Sequence, residues 1–294
     1  MPTCPSDEKP LTIGRLLSSG AAYLCRHGIS PEEAPVQAEI LVEEAVGGRL
    51  YLRREEVPAE AVVVRLRELF RRVAGGEPVQ YVVGHWPFHE IELKVDARAL
   101  IPRPETEELV ERVLRSEVWG RATAVADIGT GTGAIALALA AAARRQGRQL
   151  AVTAVDLSPA ALALAQENAA ALGLVEAVTF VLGDGAAALP PNRFDLIVSN
   201  PPYIASAEVD ALPPLIVANE PRLALDGGAD GLVLLRQIVL DAALALRPRG
   251  RLFLEIGEDQ GLALRRLLDC AGYTQVVVAR DFAGHDRYAE GSLP

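Results

Sequence analysis

Ala124-Val125-Ala126-Asp127-Ile128-Gly129-Thr130-Gly131-Thr132-Gly133 is the stretch that decides the fold. An apolar run of strand character reaches a carboxylate and passes through spaced glycines into an alanine-rich helix over 133–145. Glycines let the backbone turn tightly and approach a ligand closely, and the helix start offers free N–H groups. Strands are predicted at 124–128, 151–155, 177–182, 194–199 and 250–256, with room for closing strands at 276–279 and 287–290. Helices are predicted between them, at 133–145, 158–172, 229–246 and 259–271. This alternation specifies a parallel, doubly wound α/β sheet.

Upstream the pattern is helical. Leu11 to His27 carries apolar residues at helical spacing and stops at Gly28. Ser30-Pro31-Glu32-Glu33 combines a capping serine, a proline at the first helical position and acids facing the dipole, for a helix running to Gly47. Ala59 to Val73 is amphipathic and ends at Gly75-Gly76. Residues 1–76 thus read as a small helical domain. Val79–Val83 and Ile91–Val95 are β-prone runs around Gly84-His85-Trp86-Pro87-Phe88, which predicts a β-hairpin linker over 77–103. The α/β domain follows as 104–294, entered through the helix that starts after Arg103.

The chain has 294 residues, 50% of them hydrophobic, and a formal net charge of −10. Duplex-binding proteins carry basic surface, so this balance argues against a stable nucleic-acid partner. No apolar run is long enough to span a bilayer, and residues 1–10 lack the apolar core of a signal peptide. Cys4, Cys25 and Cys270 are odd in number and far apart, so the expectation is a reducing cytoplasm. His27, His85, His89 and His285 form no HExxH pattern, and no metal site is expected.

Two further strand ends carry acids. Val152-Thr153-Ala154-Val155-Asp156 ends in a carboxylate that can accept both ribose hydroxyls of a nucleoside. Val181-Leu182-Gly183-Asp184 ends in another, placed to accept from an exocyclic adenine amine, although Asp184-Gly185 alone is an ordinary turn dipeptide. Two cofactors compete. Gly129-x-Gly131-x-x-Ala134 satisfies the dinucleotide fingerprint and keeps a nicotinamide oxidoreductase as an alternative. Asp127 favours S-adenosyl-L-methionine, because a carboxylate there can hold an ammonium, whereas beside a pyrophosphate it repels.

The fourth strand, 194–199, runs into Asn200-Pro201-Pro202-Tyr203. The prolines stop the strand and remove two backbone donors. The tip presents an Asn amide, proline carbonyls and an aromatic ring, a slot suited to a planar NH₂ group. The bland reading is a polar turn. With a methyl donor at the glycine loop, the Asn200 side-chain oxygen and the Pro201 carbonyl can hold the two NH₂ protons of a carboxamide or an adenine, and Tyr203 can stack on the planar group.

These motifs together resemble the HemK/PrmC family of bacterial protein-(glutamine-N5) methyltransferases that modify peptide chain release factors. The resemblance extends over nearly the whole chain. It includes Gly76-Glu77-Pro78-Val79-Gln80-Tyr81, Leu100-Ile101-Pro102-Arg103-Pro104-Glu105-Thr106-Glu107 and Asn219-Glu220-Pro221-Arg222-Leu223-Ala224-Leu225. Asn-Pro-Pro-Tyr also occurs in adenine-N6 DNA methyltransferases, so the Ile-Pro-Arg-Pro-Glu-Thr-Glu segment is the more specific mark. The resemblance implies a class I, Rossmann-like methyltransferase domain and an N-terminal domain that helps recognise the protein substrate.

It also implies that Gly129, Thr130, Gly131, Thr132, Gly133 and Asp156 bind S-adenosyl-L-methionine, with Asp127, Asp184 and Gly185 around it. Asn200 would bridge cofactor and substrate. Asn200, Pro201, Pro202 and Tyr203 would hold the glutamine of a Gly-Gly-Gln loop in class 1 release factors, with a ribosomal-protein glutamine as the competing target. Gly185 departs from the family, which often has a large, frequently aromatic side chain there, so a wall for the adenine has to come from elsewhere. Phe88 and Pro104 are weaker candidates for the methionine end. Arg103 and Glu107 are weaker candidates for ordering the inter-domain segment or touching substrate, and Arg222 for ordering a nearby loop.

Overall fold

A computed structural model describes residues 10–48 and 50–294. Cys4 and most of the stretch read as lacking a signal-peptide core lie outside the described residues. The chain divides into two compact units after Gly84.

The first unit packs α1 (Ile13–Arg26), α2 (Glu33–Val46) and α3 (Glu60–Ala74) with a short α4 (Val79–Val83). Thr12 caps α1 by accepting from the Arg15 N–H, and the Ser30 hydroxyl accepts from the Glu33 N–H at 3.1 Å. Ile13, Leu24, Leu41, Leu66 and Phe70 form part of its core. A Cβ on Gly20 would fall 2.3 Å from the Phe70 ring, so α1 needs a glycine at that approach. Val79–Val83, expected as strand, is helix. Pro78 stands before it, Gly84 ends it in left-handed conformation, and Val79, Tyr81 and Val82 are buried. Tertiary burial overrides a β-prone composition in so short a run.

The hairpin forms after Gly84 rather than around it, from β1 (His85–Phe88) and β2 (Ile91–Lys94). Seven more strands make one sheet: β3 (Ala124–Ile128), β4 (Ala151–Asp156), β5 (Val178–Leu182), β6 (Phe194–Ser199), β7 (Leu246–Glu255), β8 (Thr274–Arg280) and β9 (Asp286–Ser292). Their order is β5-β4-β3-β6-β7-β9-β8, with β9 antiparallel to both its neighbours and the rest parallel. Every residue of β3 and β6 is buried, as expected of central strands covered on both faces.

The helices of this unit are α5 (Pro104–Arg115), α6 (Ala134–Arg145), α7 (Pro159–Ala171), α8 (Ser206–Val209), α9 (Pro214–Asn219), α10 (Val233–Ala245) and α11 (Gly261–Cys270). α6 and α7 pack on β4, and α5 packs on α6. α10 and α11 close a core of Ile197, Leu235, Ile238, Leu252 and Leu264. Ser158 starts α7 by accepting from the Ala161 N–H, with Pro159 at the first turn. Apart from the short α8 and α9, which the sequence reading did not predict, these are the strands and helices the sequence predicts, within a few residues at their ends.

The hairpin belongs to this second unit and is not a free linker. Asn168 of α7, almost fully buried, accepts from the Lys94 N–H at 2.7 Å. It donates to the carbonyls of Lys94 and Thr132 at 3.0 and 2.9 Å. One side chain thus ties β2 and the glycine loop to α7. Asn168→Ala strands buried backbone groups and should cost about 2 kcal/mol, which lowers the melting temperature by roughly 4–8 °C. Thermal unfolding followed by circular dichroism measures this, and an unchanged midpoint would show that the tie is dispensable.

Candidate active site

β3 and β6 are adjacent although β4 and β5 intervene in the chain. The connection after β3 leads to one edge of the sheet and the connection after β6 to the other, so a crevice opens beyond their carboxyl ends. Ile128 pairs with Ser199, and the Ser199 hydroxyl donates to the Ile128 carbonyl at 2.7 Å. Gly129 and Asn200 therefore leave the sheet side by side. A Cβ on Gly129 would stand 4.0 Å from the Asn200 carbonyl oxygen. About 1070 Å³ of empty space lies in and over the crevice, open solvent at its mouth included. Gly129, Thr130, Gly131 and Thr132 line it after β3, and Asp156 after β4. Asp184 and Gly185 line it after β5, and Asn200, Pro201 and Pro202 after β6. Asp127, Gly133 and Tyr203 do not.

Backbone hydrogen bonds hold the glycine loop. The N–H groups of Gly129 and Thr130 donate to the Val155 carbonyl at 2.9 and 3.0 Å. The Gly131 N–H donates to Asp156 Oδ2 at 2.8 Å, while Asp156 Oδ1 accepts from the Ser158 N–H at 2.8 Å. Gly131 and Gly133 have φ of 56° and 85°, which favours glycine at both. Gly133 sits behind the lining, where a Cβ would meet Leu137 Cδ1 at 2.9 Å.

Asp127 is fully buried. Its Oδ2 accepts from Thr130 Oγ1 at 2.7 Å and from the Ala136 N–H at 3.1 Å. Its Oδ1 is buried with no hydrogen-bond partner among the described residues. Burial, with the Asp156 charge adding to it, pushes this carboxyl up to about 7. An orphaned carboxylate oxygen next to a glycine loop fits a cationic ligand group, and Asp156 at the crevice wall fits a diol. The donor set therefore suits S-adenosyl-L-methionine.

At the other side of the switch point, Asn200 Nδ2 donates to Thr106 Oγ1 at 2.9 Å. Thr106 donates to Glu255 Oε2 at 2.7 Å. Asn200 Oδ1 and the Pro201 carbonyl accept no hydrogen bond from the described residues. Tyr203 is half-buried, its hydroxyl 3.5 Å from Glu255 Oε1, and burial pushes it up to about 12. The motif's aromatic ring is thus placed beside Glu255, outside the crevice lining.

Several residues at the site carry no sequence motif of their own. Gln260 donates to the Tyr203 carbonyl at 2.9 Å and accepts from the Gly257 N–H at 2.9 Å, fixing the turn after the motif. Leu157 lines the crevice directly after Asp156 and is 51% exposed. At Gly185 a Cβ would meet nothing within 4 Å. Arg103, singled out in the sequence, donates to both Glu220 oxygens at 2.6 and 2.7 Å. Burial raises the Glu220 carboxyl, and Arg103 opposes that rise. Arg222 pairs with Asp210 and Asp226, ordering its own loop. Phe88 is fully buried in the hairpin, and neither it, Pro104 nor Glu107 lines the crevice.

A strand–glycine-loop–helix unit at a switch point, with acids on the next strand ends, is a nucleoside-binding arrangement, and the family match makes it a methyltransferase of the doubly wound class. Residues 105–229 match the methyltransferase small domain family, and residues 15–84 match the PrmC N-terminal domain family. A methyltransferase from Pyrococcus furiosus shares the fold with a TM-score of 0.50, at 20% identity, over 68% of this chain and 87% of that one. The release factor glutamine methyltransferase of Moorella thermoacetica is 43% identical over 94% of this chain and 97% of its own length. That of Cereibacter sphaeroides is 43% identical over 90% and 92%. The chain belongs to the release factor glutamine methyltransferase family.

The buried Asp127 makes a stability prediction with a definite sign. An ordinary Asp titrates near about 4, so burial makes the folded state prefer the protonated carboxyl. The stabilisation this gives is complete below that value and is lost as pH rises through about 7. Asp127→Asn keeps an amide oxygen for Thr130 and Ala136 and has no charge to bury. Its melting temperature relative to wild type should therefore climb between roughly pH 4 and pH 8. A difference that stays flat over that range would mean the Asp127 charge is compensated in the fold.

Proposed function

We propose that this chain transfers a methyl group from S-adenosyl-L-methionine to N5, the side-chain amide nitrogen, of the glutamine in the Gly-Gly-Gln loop of class 1 peptide chain release factors. The observation that carries the reading is Asn200. Its NH₂ is tied back to Thr106, its oxygen is free, and it stands beside the glycine loop across the switch point. The relatives named release factor glutamine methyltransferase, 43% identical over nearly the full chain, supply the substrate.

When bound, S-adenosyl-L-methionine supplies an activated sulfonium methyl. Asp156 would hold its ribose hydroxyls, the free oxygen of Asp127 its ammonium, directly or through water, and Asp184 its adenine amine. Leu157 would give the base the apolar wall that Gly185 does not. A carboxamide nitrogen is a poor nucleophile because its lone pair is delocalised. Asn200 Oδ1 and the Pro201 carbonyl hold its two protons, which develops lone-pair density towards the methyl and stabilises the charge that grows on nitrogen. The catalytic power comes from alignment and preorganised acceptors. The C–S bond would break as the N–C bond forms, leaving the neutral thioether S-adenosyl-L-homocysteine, and the methylated nitrogen would pass its now acidic proton to water, so no strong base is needed. The helical unit, matched by the PrmC N-terminal domain family, is the part we assign to recognising the release factor. The reading places the enzyme in the cytoplasm, where chains are terminated, with a net charge of −10 that disfavours stable nucleic-acid binding.

Incubation with the donor and a release factor, followed by peptide mass mapping, should add one methyl mass to the Gly-Gly-Gln peptide. Methyl found instead on a ribosomal-protein glutamine or on DNA adenine would replace the reading. Asn200→Ala should slow turnover about a hundredfold or more while donor affinity stays within about fivefold. Asp156→Ala should weaken donor binding by roughly tenfold or more, read by calorimetry.

A further inference from the structure

We infer that Thr106 and Glu255 fix which way the Asn200 amide faces, and so act as positioning residues for methyl transfer; this rests on the role of Asn200 proposed above. The register brings the three groups together. Leu254 pairs with Ser199, so Glu255 at the end of β7 runs alongside Asn200 at the end of β6. Thr106 reaches both from the first turn of α5, which is anchored where Tyr288 donates to the Glu105 carbonyl at 2.9 Å. Thr106 is 4% exposed and Glu255 1%, so water does not supply partners in their place.

The argument turns on one proton. A hydroxyl has a single hydrogen to give. In its ionised form Glu255 can only accept, so Thr106 then gives its proton to Oε2 at 2.7 Å. The threonine oxygen is then an acceptor, and the group 2.9 Å from it has to be a donor. That selects Asn200 Nδ2 and leaves Oδ1 for the crevice, where a substrate NH₂ needs an acceptor. The two ends of an asparagine amide have nearly the same shape, so packing alone does not choose between them. Without the carboxylate the hydroxyl is free to donate to Oδ1. The amide then turns and presents its own NH₂ to the substrate NH₂, donor against donor.

Burying a carboxyl at this depth is unfavourable: burial pushes Glu255 up to about 7, against help from the Thr106 hydrogen bond and Arg287. A directional role accounts for keeping it there.

Glu255→Gln puts a group that can donate as well as accept against Thr106 and so no longer dictates the direction, and Thr106→Val removes the relay. Each should lower kcat by about tenfold or more, with KM for the release factor and donor affinity within roughly threefold. Thr106→Ser keeps the hydroxyl and should restore most of the rate. Glu255→Gln should add no further loss to Asn200→Ala. In ¹⁵N-labelled protein the Asn200 side-chain NH₂ pair, assigned by its disappearance in Asn200→Ala, should shift in Glu255→Gln and Thr106→Val and stay in place in Thr106→Ser. Thr106→Val carries the test if Glu255→Gln does not fold. Full kcat in the Val variant, losses that multiply with Asn200→Ala, or an unmoved NH₂ pair would each overturn the inference. The spectrum needs no substrate, so it decides the relay even if the wild-type chain leaves release factors unmethylated, a result that would remove the proposed function instead.

Discussion

β3 and β6 share a parallel ladder whose last rung pairs Ile128 with Ser199, closed by the Ser199 hydroxyl on the Ile128 carbonyl. The opposite end of the pair is pinned as firmly. Asp195 Oδ2 accepts from the N–H groups of Thr123 and Ala124 at 2.8 and 3.1 Å, and Arg247 stands 3.0 Å from Oδ1. Register in a buried strand is all or nothing, because a slip of one residue turns every side chain to the other face. With both ends held, Gly129 and Asn200 emerge together, and the crevice between them is a consequence of strand order rather than of loop shape. The glycines then matter because they leave this space open while letting backbone bound it.

Two buried acids of the second unit stand beside the groups that line that crevice. Asp127 and Glu255 are buried acids raised towards neutrality, each with fewer partners than a carboxylate can use. Asp195 shows what the fold does where only structure is at stake. Burial acts on it too, yet the Thr123 and Ala124 N–H groups and Arg247 hold it below the usual carboxylate range. The contrast separates two uses of a buried acid. One is saturated with donors and locks strands; the other keeps an oxygen free, or passes direction to a neighbour. Sites of the second kind are tolerated because the surrounding sheet and helices over-determine them.

The sheet was legible because its strands and helices announce their periods and because glycine and acid fall at strand ends. Right-handed crossovers say which face each connecting helix covers, but the strand order itself was not legible. The strand-ending residues Asp156, Asp184 and Asn200 were legible for the same reason: a carboxyl edge is where such a sheet binds ligands. Val79–Val83 was misread because four β-branched or aromatic residues out of five look alike in a strand and in a buried turn of helix; only the helices they pack on decide. The hairpin's place was hidden too, since it rests on Asn168, an unremarkable polar residue in an alanine-rich helix. Tyr203 was read from its neighbours in sequence, but its hydroxyl lies near Glu255 and its carbonyl is held by Gln260, both more than fifty residues further on.

The segment from Ile101 to Thr106 shows why a short motif can mark a family without revealing what it does. Ile101 is buried, Pro102 lines the crevice, and Pro104 opens α5 at the position where its missing N–H is no loss. Arg103 grips Glu220, 117 residues away, and so joins the entry of α5 to the Pro221–Leu223 side of the same crevice. Thr106 reaches Asn200 across 94 residues. Each position of the segment therefore answers to a different partner, and those partners meet only in the folded sheet. Asn-Pro-Pro-Tyr offers acceptors to any planar NH₂. The Ile-Pro-Arg-Pro-Glu-Thr-Glu segment sets the surroundings of those acceptors through partners far away in the chain, and it is therefore a more specific mark of the glutamine methyltransferases than the tetrapeptide, which shares in the resemblance.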